Sequence, residues 1–311
     1  MSIDLQKMPK LGFGLMRLPQ KDGAVDIEHL NRMVDAYMEA GLNYFDTAYV
    51  YHDGNSEKAI KEALVKRYPR DRFMLATKLP AWCLKTPEDR DRIFNEQRER
   101  CGVDYFDFYL LHNICENSLT HYYGQKIDEC LAYFKEQKAK GRIRHLGFSS
   151  HATADTLARF LDQYGEQFEF CQIQLNYVDW KLQNAQKKVE LLRAHGIPVW
   201  VMEPVRGGKL AKYAPEIEEK MRALRPEEST PAWAFRWLRT VPRPTMILSG
   251  MSNLAQMEDN LKTFSEDKPL NEEELAVLDE AAASLARMIP CTACRYCCAG
   301  CPMGLDIPRF I

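Results

Sequence analysis

A chain of 311 residues, 46% hydrophobic and 28% charged, has ordinary globular composition and is long enough for one large barrel or two domains. Its formal net charge of -2 gives no reason to expect a nucleic-acid partner. No stretch approaches the roughly 18 apolar residues of a membrane span, and residues 1–11 hold no apolar leader core, so a cytoplasmic protein is expected.

In chain order, a strand-like run from Leu11 to Arg17 closes at Pro19. Asp26 then caps a helix whose apolar residues Ile27, Leu30, Val34 and Met38 fall at helical spacing before Gly41. The strand of Asn43–Ala48 ends on an acid, Asp46, and a helix is predicted over Ser56–Lys66. Next come a strand Phe73–Thr77 followed by Lys78, a helix from about Pro87 to Cys101, and a strand Tyr105–Leu111 followed by His112. Helices near 124–140, 153–164, 182–195, 215–224 and 230–239 alternate with strands at 143–148, 170–175, 197–202 and 245–248. Two further helices, Leu254–Phe264 and one opened by Asn271, follow the last strand.

Eight strands alternating with helices, several of them apolar on both faces, predict an α/β fold: a closed (β/α)8 TIM barrel with extra C-terminal helices. A doubly wound sheet would carry a Gly-rich phosphate loop after its first strand, and Gly12-Phe-Gly14 lacks the third glycine. Residues 1–288 are read as the barrel and 289–311 as a short cysteine-rich tail.

Asp46, Lys78 and His112 end successive strands and would meet on the barrel's active face, with Tyr51 reaching in from the following loop. A phenol titrates near pH 10, too high for efficient acid–base work near neutrality. An ammonium a few ångströms away favours the phenolate and lowers that value. Asp46 would hold Lys78 charged, and His112 could donate to a substrate oxygen. The set suits protonation of a carbonyl oxygen as its carbon is reduced.

Asp46-Thr-Ala-Tyr-Val-Tyr51, Thr77-Lys78 and Leu110-Leu-His112 resemble the tetrad motifs of the aldo-keto reductase superfamily. Gly147-Phe-Ser149-Ser150-His151, Gln172-Ile-Gln and the run Gly250 to Asn260 continue the resemblance in order, over about residues 10–265. The resemblance implies a nicotinamide cofactor, NADP(H) or NAD(H), bound in extended form across the carboxyl ends of the strands. It implies Tyr51 as general acid, Asp46 and Lys78 as its tuners, and His112 as the group orienting a small aldehyde or ketone. Ser149, Ser150 and Gln172 match positions that hydrogen-bond the nicotinamide carboxamide, and Gly14 and Met16 belong to the expected cofactor set. Met202, before Glu203-Pro204, stands where many members place an aromatic ring on the nicotinamide. Gly208 allows close approach to a pyrophosphate, and Arg206 and Lys209 add positive charge. Gly250 and Gln256 replace the basic residues of NADPH-preferring members, so 2′-phosphate recognition is expected to need Arg206 or Lys209. Asp259 and Asn260 are the expected adenine contacts. Trp82 and Tyr177 are candidates for the substrate wall.

Ten cysteines without a secretory signal are thiols or metal ligands, and five crowd into the last 21 residues. Cys291-x2-Cys294-x2-Cys297-x3-Cys301-Pro302 has the spacing of the bacterial ferredoxin run, which implies a [4Fe-4S] cluster more than zinc. Ferredoxin-tailed aldo-keto reductases, which this chain resembles from Pro290 to Pro308, usually continue with a second cysteine motif, so a shortened tail is expected. A metal-free tail is the alternative to a single cluster. Two functions follow: a carbonyl reductase, or an electron-transfer protein that meets a redox partner through the tail and uses the barrel for docking.

Overall fold

Segments apolar on both faces, such as Phe106–Leu111, can be buried on both sides only in a sheet covered by helices outside and filled by side chains within. The computed structural model describes residues 4–116, 118, 125–285, 291, 296–299 and 301–310. In it eight parallel strands close a barrel. They are β1 (Leu11–Gly14), β2 (Tyr44–Asp46), β3 (Met74–Pro80), β4 (Phe106–Ile114), β5 (Ile143–Ser150), β6 (Phe170–Gln174), β7 (Val199–Met202) and β8 (Met246–Ser249). The ring closes where Leu11 and Phe13 of β1 register with Ile247 and Ser249 of β8.

Two apolar layers hold the ring. The outer layer packs strand residues such as Phe13, Phe45 and Leu75 against the surrounding helices, where the predicted Leu30 and Val34 are fully buried, Ile27 and Met38 partly so, and Tyr37 joins them. The inner layer fills the barrel with Tyr44, Phe108, Phe170, Trp200 and Met246. Phe170 and Trp200 stack with ring centroids 4.0 Å apart. Gly147 makes room for that stack, since a Cβ there would overlap the Phe170 ring.

The departures from expectation are local. β1 stops at Gly14, and Leu15–Arg17 form a 3-10 turn. A two-stranded ribbon, Gln20–Lys21 with Ala24–Val25, lies outside the ring, and its Asp22-Gly23 turn has both residues at positive φ, the geometry that suits a two-residue hairpin. The helix predicted over 56–66 is α-helical from Asn55 to Ile60 and a π-turn from Lys61 to Val65. The helix predicted over 182–195 is interrupted, because Asn184 adopts φ 50° between Asp179–Leu182 and Ala185–Ala194. Glu272–Leu285 follows its Asn271 cap, which accepts from Glu274 N at 2.9 Å. Among the described residues no helix is long and apolar enough to cross a membrane.

Candidate active site

Asp46 registers with Gly14 and Ala76, which puts its carboxylate at the carboxyl end of β2. It is 3% exposed and Lys78 1% exposed, so both charges must be satisfied inside the protein. They satisfy each other in a short ion pair. Lys78 Nζ also donates to the Thr47 carbonyl at 2.7 Å and to the Tyr51 hydroxyl at 3.4 Å. The second carboxylate oxygen of Asp46 accepts from Gln172 Nε2 at 2.6 Å and from the Tyr44 hydroxyl at 3.2 Å. The ammonium is thereby fixed beside the phenol.

Tyr51 opens a turn in which His52, Asp53 and Gly54 all have positive φ. Two of these are not glycine, a costly conformation that needs support from elsewhere. His52 supplies it: Nε2 accepts from the Leu18 amide at 3.2 Å, tying the Tyr51 turn to the β1 loop. The ring of His112 meets that of Tyr51 edge-on with centroids 6.1 Å apart, and that of Trp82 at 5.2 Å. Trp82 is 36% exposed, as a substrate wall would be, whereas Tyr177 is buried against Trp237. Behind Lys78, Gln97 Nε2 donates to the Lys78 carbonyl at 3.0 Å and to Glu57 at 2.8 Å. Burial pushes the Glu57 carboxyl above its ordinary range.

Burial, together with the charges of Lys78 and His151, pushes the His112 imidazole well below its usual range. Burial and Lys188 likewise push His151 down to about 4. His112 is therefore a neutral imidazole, able to offer one N–H. Because its folded value lies below the unfolded 6.5, the unfolded chain binds more protons there, and stability falls as pH drops through 6.5. Replacing His112 with glutamine is expected to flatten the denaturant-unfolding slope between pH 6.5 and 5 by up to about 1.4 kcal/mol per pH unit. An unchanged slope in the variant would contradict the buried neutral state.

A groove of about 350 Å³ runs from this cluster over the ends of β7, β8 and β1. Of the residues expected to bind cofactor, Gly14, Met16, Gln172, Met202, Pro204, Gly208, Gly250, Gln256, Asp259 and Asn260 line it, together with Asp46 and Tyr51. Ser149 and Ser150 are buried just below, their hydroxyls donating to the β4 carbonyls of Leu111 at 3.5 Å and Ile114 at 3.0 Å. Arg206 departs from expectation. It is 2% exposed and turned inward, its Nε donating to both oxygens of Asp179 at 3.1 and 3.2 Å. Among the described residues the arginine that lines the groove is Arg17, which sequence reading passed over; it pairs with Glu203 at 3.7 Å and lies against Gly250. Nothing local marks Arg17, since its neighbours come from strands at the far end of the chain.

The metal expectation fares differently. Cys294 lies outside the described residues. Among the described residues no group of three His, Cys, Asp or Glu side chains converges to hold a metal ion. The backbone amides of Leu305, Met303 and Gly304 hold the Cys301 thiol below its usual range.

The family model for the aldo/keto reductase family matches residues 10–283. The chain belongs to the aldo/keto reductase family. Like other members it is an oxidoreductase built on the (β/α)8 barrel. Its relatives include the NADH-specific methylglyoxal reductase of Escherichia coli, 26% identical, the match covering 82% of this chain and 88% of that one. The 9,11-endoperoxide prostaglandin H2 reductase of Trypanosoma cruzi is 27% identical, over 88% of each. An aldo/keto reductase from Klebsiella pneumoniae, solved with NADP and acetate, shares the fold with a TM-score of 0.70 at 22% identity, over 88% of this chain and 92% of that one.

Proposed function

We propose that this aldo/keto reductase reduces a small aldehyde or ketone at the expense of NAD(P)H, with Tyr51 giving its proton to the carbonyl oxygen. The observation that carries the proposal is the Lys78 ammonium, held by Asp46 and 3.4 Å from the Tyr51 hydroxyl at the mouth of the groove. The lining of the groove supports an extended dinucleotide as its occupant. At its floor a Cβ on Gly14 would sit 3.3 Å from the Ser249 carbonyl, a tight contact that glycine avoids. Gly207 and Gly208 turn with positive φ and bring bare backbone to the surface, as close approach to a phosphate requires. Met202 and Pro204 would cover a nicotinamide, Ser149, Ser150 and Gln172 would stand near its carboxamide, and Asp259 and Asn260 would meet adenine.

A reduced nicotinamide bound there would supply a hydride to the carbonyl carbon. The protein's own part is to fix the acceptor and manage the proton. His112, kept neutral, orients the carbonyl oxygen with an N–H, and Tyr51 protonates it. Lys78 stabilises the phenolate left behind, and Asp46 keeps the ammonium in place against Gln172 and Tyr44. The E. coli relative, named for NADH and methylglyoxal, makes short 2-oxoaldehydes the first substrates to try. Nicotinamide absorbance followed with NADH and NADPH across a panel of 2-oxoaldehydes, simple aldehydes and ketones tests the reading. No turnover on any of them would remove it and favour the electron-transfer alternative.

For the tail, the spacing of Cys291, Cys294, Cys297 and Cys301 supports a [4Fe-4S] site, with residues 1–288 as the catalytic unit. Protein purified anaerobically is expected to carry iron and acid-labile sulfide in equal amounts, both lost in Cys297→Ser. Iron-free protein after reconstitution would end the cluster reading without touching the reductase.

A further inference from the structure

The loop after β7 curls through four residues in the left-handed region, Glu203 (φ 56°), Arg206 (φ 50°), Gly207 (φ 66°) and Gly208 (φ 93°). Two of the four carry side chains, so the curl must be imposed by its contacts. The contacts converge on one buried carboxylate, Asp179, which opens the short helix after β6 and is 0% exposed. Asp179 accepts from Gln174 Nε2 at 2.8 Å, from Asn176 Nδ2 at 2.7 Å and from Arg206 Nε at 3.1 and 3.2 Å. Asn176 Nδ2 also donates to the Glu203 carbonyl at 3.1 Å, and the Arg206 amide donates to that same carbonyl at 3.0 Å. One carboxylate thus grips the start of the curl through Asn176 and its apex through Arg206. Glu203, Pro204, Gly207 and Gly208, between and beside those two points, line the groove, while the Arg206 side chain turns to the protein interior.

We infer that Asp179 and Arg206 are positioning residues for dinucleotide binding: their buried ion pair holds the loop of residues 203–210 in the shape that presents its backbone to the cofactor. The inference rests on the reading of the groove as a dinucleotide site. It assigns Arg206 a different task from direct phosphate contact, and the two tasks predict different outcomes for the partner acid. If Arg206 touched phosphate, neutralising Asp179 would leave binding unchanged or tighten it, because the guanidinium would be released. If the pair shapes the loop, losing either member weakens binding, and losing both adds little more.

The experiment compares full-length wild type with Asp179→Asn, Arg206→Lys and the double variant. Dinucleotide affinity is read by fluorescence titration with NADH and with NADPH, and loop order by hydrogen–deuterium exchange of peptides spanning 203–211 without cofactor. Each single variant is expected to weaken dinucleotide binding about tenfold, KM for the dinucleotide rising more than kcat falls, and the double variant to fall well short of the product of the two effects. Amide exchange in 203–211 should be faster in every variant. Should Asp179→Asn fail to fold, cofactor-free amide exchange in Arg206→Lys decides, since a residue that only touched phosphate would leave it unchanged. Wild-type affinity in Asp179→Asn, multiplicative losses, or unchanged exchange would each overturn the inference. If the wild type binds neither dinucleotide, the reading of the groove fails, and the exchange rates alone decide whether the pair shapes the loop.

Discussion

Replacing Tyr51 with phenylalanine is expected to cut carbonyl-dependent oxidation of NAD(P)H by about 10²–10⁴-fold, the range that general acid catalysis contributes. The ring would keep its place through contacts that survive loss of the hydroxyl: the Lys78 ammonium 4.8 Å from the centroid and the edge-on ring of His112. Dinucleotide affinity should therefore stay near the wild-type value, since the groove walls on β7 and β8 are untouched. The comparison needs two measurements, a single-turnover rate at saturating cofactor and a fluorescence titration. Loss of rate together with loss of binding would mean that Tyr51 shapes the groove and would leave the proton donor unassigned. Full activity in the variant would end the proposed chemistry.

The second large effect concerns stability as well as rate. Asp46→Asn leaves the ammonium of Lys78 buried with its countercharge gone, and uncompensated buried charges of this kind cost about 3–5 kcal/mol. Denaturant unfolding of the variant should show that loss, and its catalysis should collapse because the ammonium no longer has a fixed seat beside the phenol. A control separates the two. Asp46→Asn combined with Lys78→Met removes both charges and should recover part of the stability but none of the activity. A double variant less stable than the first would show that the buried Thr47 carbonyl, left without the Lys78 donor, dominates the cost.

The ring of strands was legible because its signal is local. Phe106–Leu111 is buried on both faces and Val199–Met202 nearly so, and each is followed by a residue whose chemistry does not suit a core, His112 and Glu203. The proton-handling cluster was legible for a like reason: Asp46 closes β2 with Tyr51 in the loop after it, and Lys78 and His112, expected at the ends of their strands, lie two residues before the ends of β3 and β4. Long-range pairing left no such trace. Nothing near Arg206 says that its partner is Asp179, 27 residues earlier, so a cation beside two glycines read as a phosphate contact. His52 could have drawn notice only from its place beside Tyr51, since its partner amide is 34 residues away. The Asp22-Gly23 hairpin was readable in principle, being a turn signal between short β-compatible pairs, and was hidden by the expectation that each connection holds a helix.

The hydrogen bond from Gln172 to Asp46 spans 126 positions of chain and reaches from the sixth strand to the second. It works as a tie-beam over the mouth of the ring, and it exists only once most of the polypeptide is in place. A fragment ending before residue 170 would hold Asp46, Tyr51, Lys78 and His112 yet leave the acid without that brace. Such a half-ring should be catalytically silent, and mixing it with the complementary half should restore turnover only as the two assemble.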